Sequence, residues 1–252
     1  MAGHLTVIGP GDHRWLTPEA GAALERAAAV YGYMAYLDRV PVVCGQARHP
    51  SENGAEAARA QAALAHAAAG AEVALVSGGD PGVFAMAAAV CAAIEAGPEA
   101  FRAVELAIVP GITAMLAVAA RAGAPLGHDF CALSLSDNLK PWGVVERRLT
   151  AAAQAGLVIA IYNPLSRARP WQLGAAFELL ARHLPAATPV VFGRAVGRAG
   201  EEVEVTTLAT AGRAQADMAT LVIIGSAETR VVARRGRAPL VYTPRAAAGA
   251  ER

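Results

Sequence analysis

The stretch Val73-Ala74-Leu75-Val76-Ser77-Gly78-Gly79-Asp80-Pro81-Gly82-Val83-Phe84 constrains this chain more than any other. An apolar run of strand length enters a turn made of two glycines, an acid, a proline and a third glycine, and an alanine-rich pattern of helical period leaves it from Val83 to about residue 96. A strand that stops at glycines and feeds a helix puts its loop at the carboxyl edge of an α/β sheet, the edge where such sheets take their ligands. Paired glycines permit positive φ and close approach of backbone to a ligand. Asp80 is the only charged residue between Glu72 and Glu95. It has two readings: the N-cap of the following helix, with Pro81 in the first turn, or a contact to a bound ligand.

The same alternation extends along the chain. Residues 5–8 read as a strand, Gly9-Pro10-Gly11-Asp12 as a glycine turn, and Thr17-Pro18-Glu19 as the N-cap, first-turn proline and early acid of a helix reaching residue 29. The opening is Rossmann-like, but G-x-G-x-x-G is absent, so the signal for NAD is weak. A short strand over 30–33, a helix over 51–69 ended by Gly70, the central strand, and a strand over 105–109 feeding a helix to residue 122 complete the first half. Alternating strands and helices predict a largely parallel sheet covered by helices on both faces. The glycine- and proline-containing segment 123–127 is the best boundary. Beyond it, strands are expected at 130–135, 158–162, 189–194, 203–206 and 221–224, with helices at 141–155 and 171–183. This half carries more β character, which predicts a mixed sheet.

With 55% hydrophobic and 17% charged residues among 252, the chain can build a large core in one large or two small domains. A net charge of +1 argues against a surface made to wrap nucleic acid. Lys140 is the only lysine; the arginine excess reflects either base composition or recognition of carboxylates and phosphates. Cys44, Cys91 and Cys131 are too scattered for a disulfide framework or a zinc site, and the six histidines have no ligand spacing, so no metal is expected. Cys91 and Cys131 lie in apolar runs and read as buried thiols. The start has no secretory pattern, and the longest apolar run, 106–120, is broken by Pro110-Gly111 and falls short of the roughly 20 residues of a membrane helix. A cytoplasmic protein without membrane attachment is the expectation.

Gly9-Pro10-Gly11-Asp12 with Leu16-Thr17, then Ser77-Gly78-Gly79-Asp80-Pro81, then Pro110-Gly111-Ile112-Thr113-Ala114 resemble, in that order, the tetrapyrrole methylases, the class III S-adenosylmethionine-dependent methyltransferases. The resemblance spans essentially the whole chain. Tyr31-Gly32-Tyr33 with Tyr36-Leu37-Asp38, Ser134-Leu135-Ser136-Asp137-Asn138, Ile161-Tyr162-Asn163-Pro164 with Ser166, and Asp217-Met218-Ala219-Thr220 narrow it to members that methylate corrinoid precursors of cobalamin. There is one departure: members usually carry a glycine two positions before Gly9, where this chain has Val7.

The resemblance implies an α/β fold of two α/β domains, 1–122 and 123–252, each a mostly parallel or mixed sheet flanked by helices. It also implies an active-site cleft between them and a homodimer. It implies contacts to S-adenosylmethionine, which leaves as S-adenosylhomocysteine, at Gly9, Pro10, Gly79, Asp80, Val83, Phe84, Thr113, Ala114, Tyr162, Ala195 and Thr220. The implied substrate is a flat tetrapyrrole rimmed with carboxylates, for which Arg39, Lys140, Arg167, Arg169 and Arg194 are candidate clamps; each alone also reads as a solvated charge. Asp137, Asn163 and Tyr31 or Tyr33 are candidates for proton handling or hydrogen bonding at the macrocycle, Asn163 as a hydrogen-bond donor, although Asp and Asn equally favour turns and tyrosines pack. Other readings are a methylase acting on a different precorrin or cobalt-precorrin, a branch that methylates RNA or a modified histidine, and a non-catalytic corrinoid-binding subunit.

Overall fold

The computed structural model describes residues 3–10, 13–166, 168–213 and 216–246. They form two compact units, the first ending at Thr113 and the second beginning at Ala114.

The first unit runs β1 (His4–Ile8), α1 (Pro18–Arg26), β2 (Ala29–Tyr33), α2 (Met34–Leu37), β3 (Ala47–Ser51), α3 (Glu56–Ala68), β4 (Glu72–Val76), α4 (Met86–Ala96), α5 (Glu99–Arg102) and β5 (Glu105–Val109). Its strands make one sheet in the order β3-β2-β4-β1-β5, and every pairing is parallel. Strands covered on both faces read as continuous apolar runs, which is how β1 and β4 are written. One face of the sheet packs Leu5, Val7, Val73 and Leu75 against α3 and α4. The other packs Ile8, Val30, Ala74 and Val76 against α1.

The helix bounds and one cysteine differ from expectation. The first helix is opened by Thr17, whose Oγ1 accepts the Ala20 N–H at 3.2 Å, but it stops at Arg26. Residues 29–33 pair with strands on both sides, and that pairing wins over helix extension. The helix expected over 51–69 is α3 and begins at Glu56, because 47–51 form β3, an edge strand where Pro50 is tolerated. The helix expected from Val83 is α4 and begins at Met86. Asp80 is therefore not its N-cap: Ala85 holds that position, and the buried Ser77 Oγ accepts the Met86 N–H at 3.3 Å. Helix α4 buries Met86, Ala87 and Val90 and turns Cys91 outward, so that thiol is exposed rather than buried. Cys131 is half-buried, and burial pushes its thiol up.

The second unit runs α6 (Ala114–Ala122), β6 (Gly123–Ala124), β7 (Phe130–Ser134), α7 (Trp142–Gln154), β8 (Val158–Tyr162), α8 (Gln172–Leu180), β9 (Pro189–Arg194), β10 (Glu202–Thr207), β11 (Thr220–Ile224), β12 (Arg230–Arg234) and β13 (Arg237–Tyr242). The main sheet has the order β10-β9-β11-β8-β7. Only β7 and β8 pair in parallel, so the expected mixed sheet is present. Alternate residues serve opposite faces. Ile159, Ile161, Phe192, Val222 and Ile224 pack with α7 and α8, whereas Val158, Val191, Leu221 and Ile223 pack with Val118 and Ala122 of α6. Helix α6 approaches β9 so closely that a Cβ on Gly193 would lie 2.2 Å from Val118 Cγ2. The segment expected to be a simple boundary is paired: Gly123, at φ +133°, lets β6 run beside β13. Among the described residues no helix is long and apolar enough to cross a membrane.

Candidate active site

In the first unit β4, β1 and β5 are neighbours in a parallel sheet, so the loops leaving their carboxyl ends meet. They meet backbone to backbone. A Cβ on Gly9 would sit 2.0 Å from the Gly79 carbonyl oxygen, and one on Gly111 would sit 2.1 Å from the Gly9 oxygen and 2.3 Å from the Gly79 oxygen. Gly79 itself has φ +60°, a conformation that L side chains resist. Asp80 ties the arrangement together. Its Oδ1 accepts the Gly82 N–H at 2.7 Å and its Oδ2 accepts the Gly111 N–H at 3.1 Å. A carboxylate oxygen can accept more than one hydrogen bond, so Asp80 keeps acceptor capacity on a half-exposed loop. Gly9 and Pro10 are buried beneath this junction, Val83 is half-exposed, Phe84 is exposed and Thr113 is buried. Gly11 and Asp12 lie outside the described residues. Val7 is fully buried within β1 and packs in the core, so the departure at that position falls in the strand rather than in the loop.

The tyrosines of the first unit divide. Tyr31 stacks on His49 at 4.3 Å between ring centroids, and its hydroxyl lies 3.2 Å from His66 Nδ1 in the last turn of α3. Burial pushes its phenol up. Tyr33 meets Tyr36 edge-on at 5.2 Å, and the Arg39 guanidinium carbon lies 5.0 Å above the Tyr36 ring.

In the second unit the polar candidates gather where β7 and β8 end. Asn163 Nδ2 donates to the buried Ser134 Oγ at 2.9 Å. Asp137 pairs with Arg169 at 2.6 Å, and Arg169 also donates to Asn138 Oδ1. Desolvation opposes ionisation of Asp137, but the hydrogen bond and charge of Arg169, with a backbone amide and Gln172, together hold the carboxyl below its ordinary range. Lys140 Nζ donates to the Ser136 carbonyl at 2.9 Å. Burial and Arg148 push the Lys140 ammonium down, with Asp137 acting the other way. Arg167 lies outside the described residues. Tyr162, the last residue of β8, accepts the Met115 N–H on its hydroxyl at 3.1 Å, at the start of α6 beside the exposed Ala114.

A second polar knot stands where β9 ends and β11 begins. Arg194 Nε donates to Asp217 Oδ2 at 3.0 Å, and Thr220 Oγ1 donates to Asp217 Oδ1 at 2.8 Å while accepting the Asp217 N–H. Desolvation raises the Asp217 carboxyl, yet the bonds from Thr220, the Ala219 amide and Arg194 prevail and hold it low. Among the described residues three non-glycine positions have positive φ: Phe84 at +52°, Asn163 at +50° and Ala195 at +48°. All three are candidates named from the sequence. Left-handed non-glycine residues cost about 1–3 kcal/mol each and concentrate at functional sites.

The model of the tetrapyrrole (corrin/porphyrin) methylases matches residues 6–212. The chain belongs to that family. This methylase is 62% identical over 252 residues, 99% of each chain, to a precorrin-3B C(17)-methyltransferase from Sinorhizobium sp. The crystal structure of the methyltransferase CobJ is similar at TM-score 0.88 and 46% identity, covering 96% of this chain and 100% of that one. A uroporphyrin-III C-methyltransferase from Thermus thermophilus, complexed with S-adenyl homocysteine, shares the fold at TM-score 0.66 and 22% identity, with 88% of this chain and 97% of that one covered.

Three groups that hold this methylase's loops in place lie in motifs quoted from the sequence, where no role was assigned to them. Ser77 and Ser134 are small hydroxyls at strand ends whose partners lie 9 and 29 residues away. Asp217 had a signal, its spacing from Thr220, which is that of a closed side-chain turn. Among the described residues no group of three or more His, Cys, Asp or Glu side chains is placed to hold a metal ion.

Proposed function

We propose that this methylase transfers the methyl group of S-adenosylmethionine to carbon 17 of precorrin-3B, with the ring contraction that gives precorrin-4, in cobalamin biosynthesis. The observation that carries this reading is the 62% identity, over 99% of both chains, to a protein of that name. The loop chemistry supports it. The junction of Gly9, Gly79 and Gly111 offers backbone close to a ligand, and Asp80 offers an anion with acceptor capacity to spare.

Bound there, a sulfonium donor supplies an already activated methyl group, so the protein's task is alignment and exclusion of water. Asp80 would accept hydrogen bonds from the polar end of the donor while its bonds to Gly82 and Gly111 keep the loop from moving. Ring contraction breaks and makes carbon–carbon bonds, so protons must be taken and returned. Asp137, a carboxylate held beside Arg169, is the group proposed to accept one. Asn163, held by Ser134, is proposed as a hydrogen-bond donor to the macrocycle. Arg39, Lys140, Arg167, Arg169 and Arg194 are the proposed partners of its rim carboxylates.

Titration calorimetry with S-adenosylmethionine, followed by incubation with donor and candidate precorrins in competition, tests the assignment. We expect saturable donor binding and preferential consumption of precorrin-3B. Binding of a precorrin without donor binding would instead favour a carrier subunit.

A further inference from the structure

We propose that Tyr36 is a positioning residue for methyl transfer: its ring is the plate against which the glycine loop after β4 is laid, and so it fixes where Gly79 and Asp80 stand. The proposal rests on the donor reading given above. Its basis is Gly78. A Cβ at that position would come within 2.7 Å of Tyr36 Cζ and 2.8 Å of Tyr36 Oη. Gly79 is demanded by its positive φ, but Gly78 has no left-handed backbone to explain it. What demands glycine at 78 is the ring.

Such a demand is cheap to escape if the ring can swing aside. Here it is held. The Tyr33 ring meets it edge-on at 5.2 Å and 85°, and Arg39 lies over its face at 5.0 Å. The ring also packs against the buried cluster that contains Val30, Leu37, Val40 and Val76. The loop is gripped from its other end as well. Arg59, only 5% exposed, donates to Ser51 Oγ at 2.6 Å, to the Glu52 carbonyl at 2.8 Å and to Met86 Sδ at 3.3 Å. Met86 in turn donates its N–H to Ser77 Oγ. Ser77 is thus anchored to the start of α4, and Gly78 is pressed on the tyrosine. Between these two constraints the chain has little freedom in where it presents Gly79 and Asp80. Tyr36 acts through Gly78 and has no role in bond making.

The test uses Gly78→Ala, Tyr36→Ala, Tyr36→Phe and the double variant Gly78→Ala/Tyr36→Ala in the full chain, with S-adenosylmethionine affinity read by calorimetry and folding by thermal unfolding. Overpacking of a held ring should weaken donor affinity about tenfold in Gly78→Ala; Tyr36→Ala should weaken it as well, because the loop loses its plate, and adding Gly78→Ala to Tyr36→Ala should cost little more, a strong departure from additivity. Tyr36→Phe keeps the plate and should stay within about twofold of the parent, since the ring carbons Cζ and Cε2 still face Gly78. Normal affinity in Gly78→Ala, or an equal penalty with and without the ring, overturns the proposal. Hydrogen exchange at the amides of Gly78, Gly79, Asp80 and Gly82, measured without donor, separates this claim from the donor reading. Tyr36→Ala should speed exchange there and Tyr36→Phe should not; unchanged exchange in Tyr36→Ala also overturns it. If the parent protein binds no donor, the donor reading falls, and the exchange result alone decides whether Tyr36 shapes the loop.

Discussion

Asp80 shows how a single side chain converts a loop into a fixed surface. Both of its oxygens accept backbone N–H groups, one from its own turn and one from the loop after β5. Hydrogen bonds to a charged group contribute about 1.5–3 kcal/mol each. Asp80→Ala should therefore lower the melting temperature measurably while leaving the protein folded, because the loop lies at the sheet edge. Donor affinity measured by calorimetry should fall at least about tenfold, the equivalent of one such bond; unchanged affinity in the folded variant would remove Asp80 from the donor site. Asp137 makes a different prediction. Its carboxyl is held below the ordinary value of 3.8 in the folded protein. A depressed carboxyl stabilises the fold above its unfolded pKa, and that contribution is lost as pH falls through the folded pKa. Arg169→Gln should thus lower the melting temperature at neutral pH, and the difference from the parent should shrink on acidification below 3.8. A difference that does not change with pH would mean that the pair is not the source. Asp137→Asn should slow turnover while donor affinity stays near the parent value.

Strands that are buried on both faces announce themselves, and strands at edges do not. β1, β4, β8, β9 and β11 are apolar runs whose pattern is the direct consequence of double coverage. β3, written ARHPS, carries three polar residues and a proline, and only its pairing with β2 makes it a strand. β12 is exposed at every position and flanked by arginine, so nothing in its composition separates it from a loop. The site divides in the same way. The Asp80 loop was legible because glycines, an acid and a proline interrupt an apolar run. The left-handed backbones of Phe84 and Ala195 were not, since nothing about either residue type signals positive φ, and the family resemblance alone brought them forward. Gly193 belongs to the element scale too. It lies in a strand, where glycine is weak, and the reason is Val118 of α6 pressed against it. Gly193→Leu should cost at least about 1–3 kcal/mol of stability through overpacking, and Val118→Ala should recover part of the loss. Chemical denaturation of the single and double variants checks this; a neutral Gly193→Leu would mean that α6 does not pack as described.

At the scale of the whole molecule, the chain is a tetrapyrrole methylase from residue 6 to residue 212 by its family match. Its net charge of +1 offers no extended field for a polyanion. Exposed apolar side chains remain, among them Ile108 on edge strand β5 and Phe130 on edge strand β7, at 45% and 41% exposure. Symmetric dimers are the commonest way to cover such residues, and we expect light scattering at micromolar concentration to give the mass of a homodimer; a monomer would contradict that expectation. The reaction itself is open to direct test. Incubation with precorrin-3B and S-adenosylmethionine carrying a 13C-labelled methyl group, followed by mass spectrometry and carbon NMR of the product, tests it most directly. We expect a single added methyl, with the label at carbon 17 of a contracted ring. A label at any other carbon, or recovery of unmethylated precorrin-3B with donor bound, would contradict it.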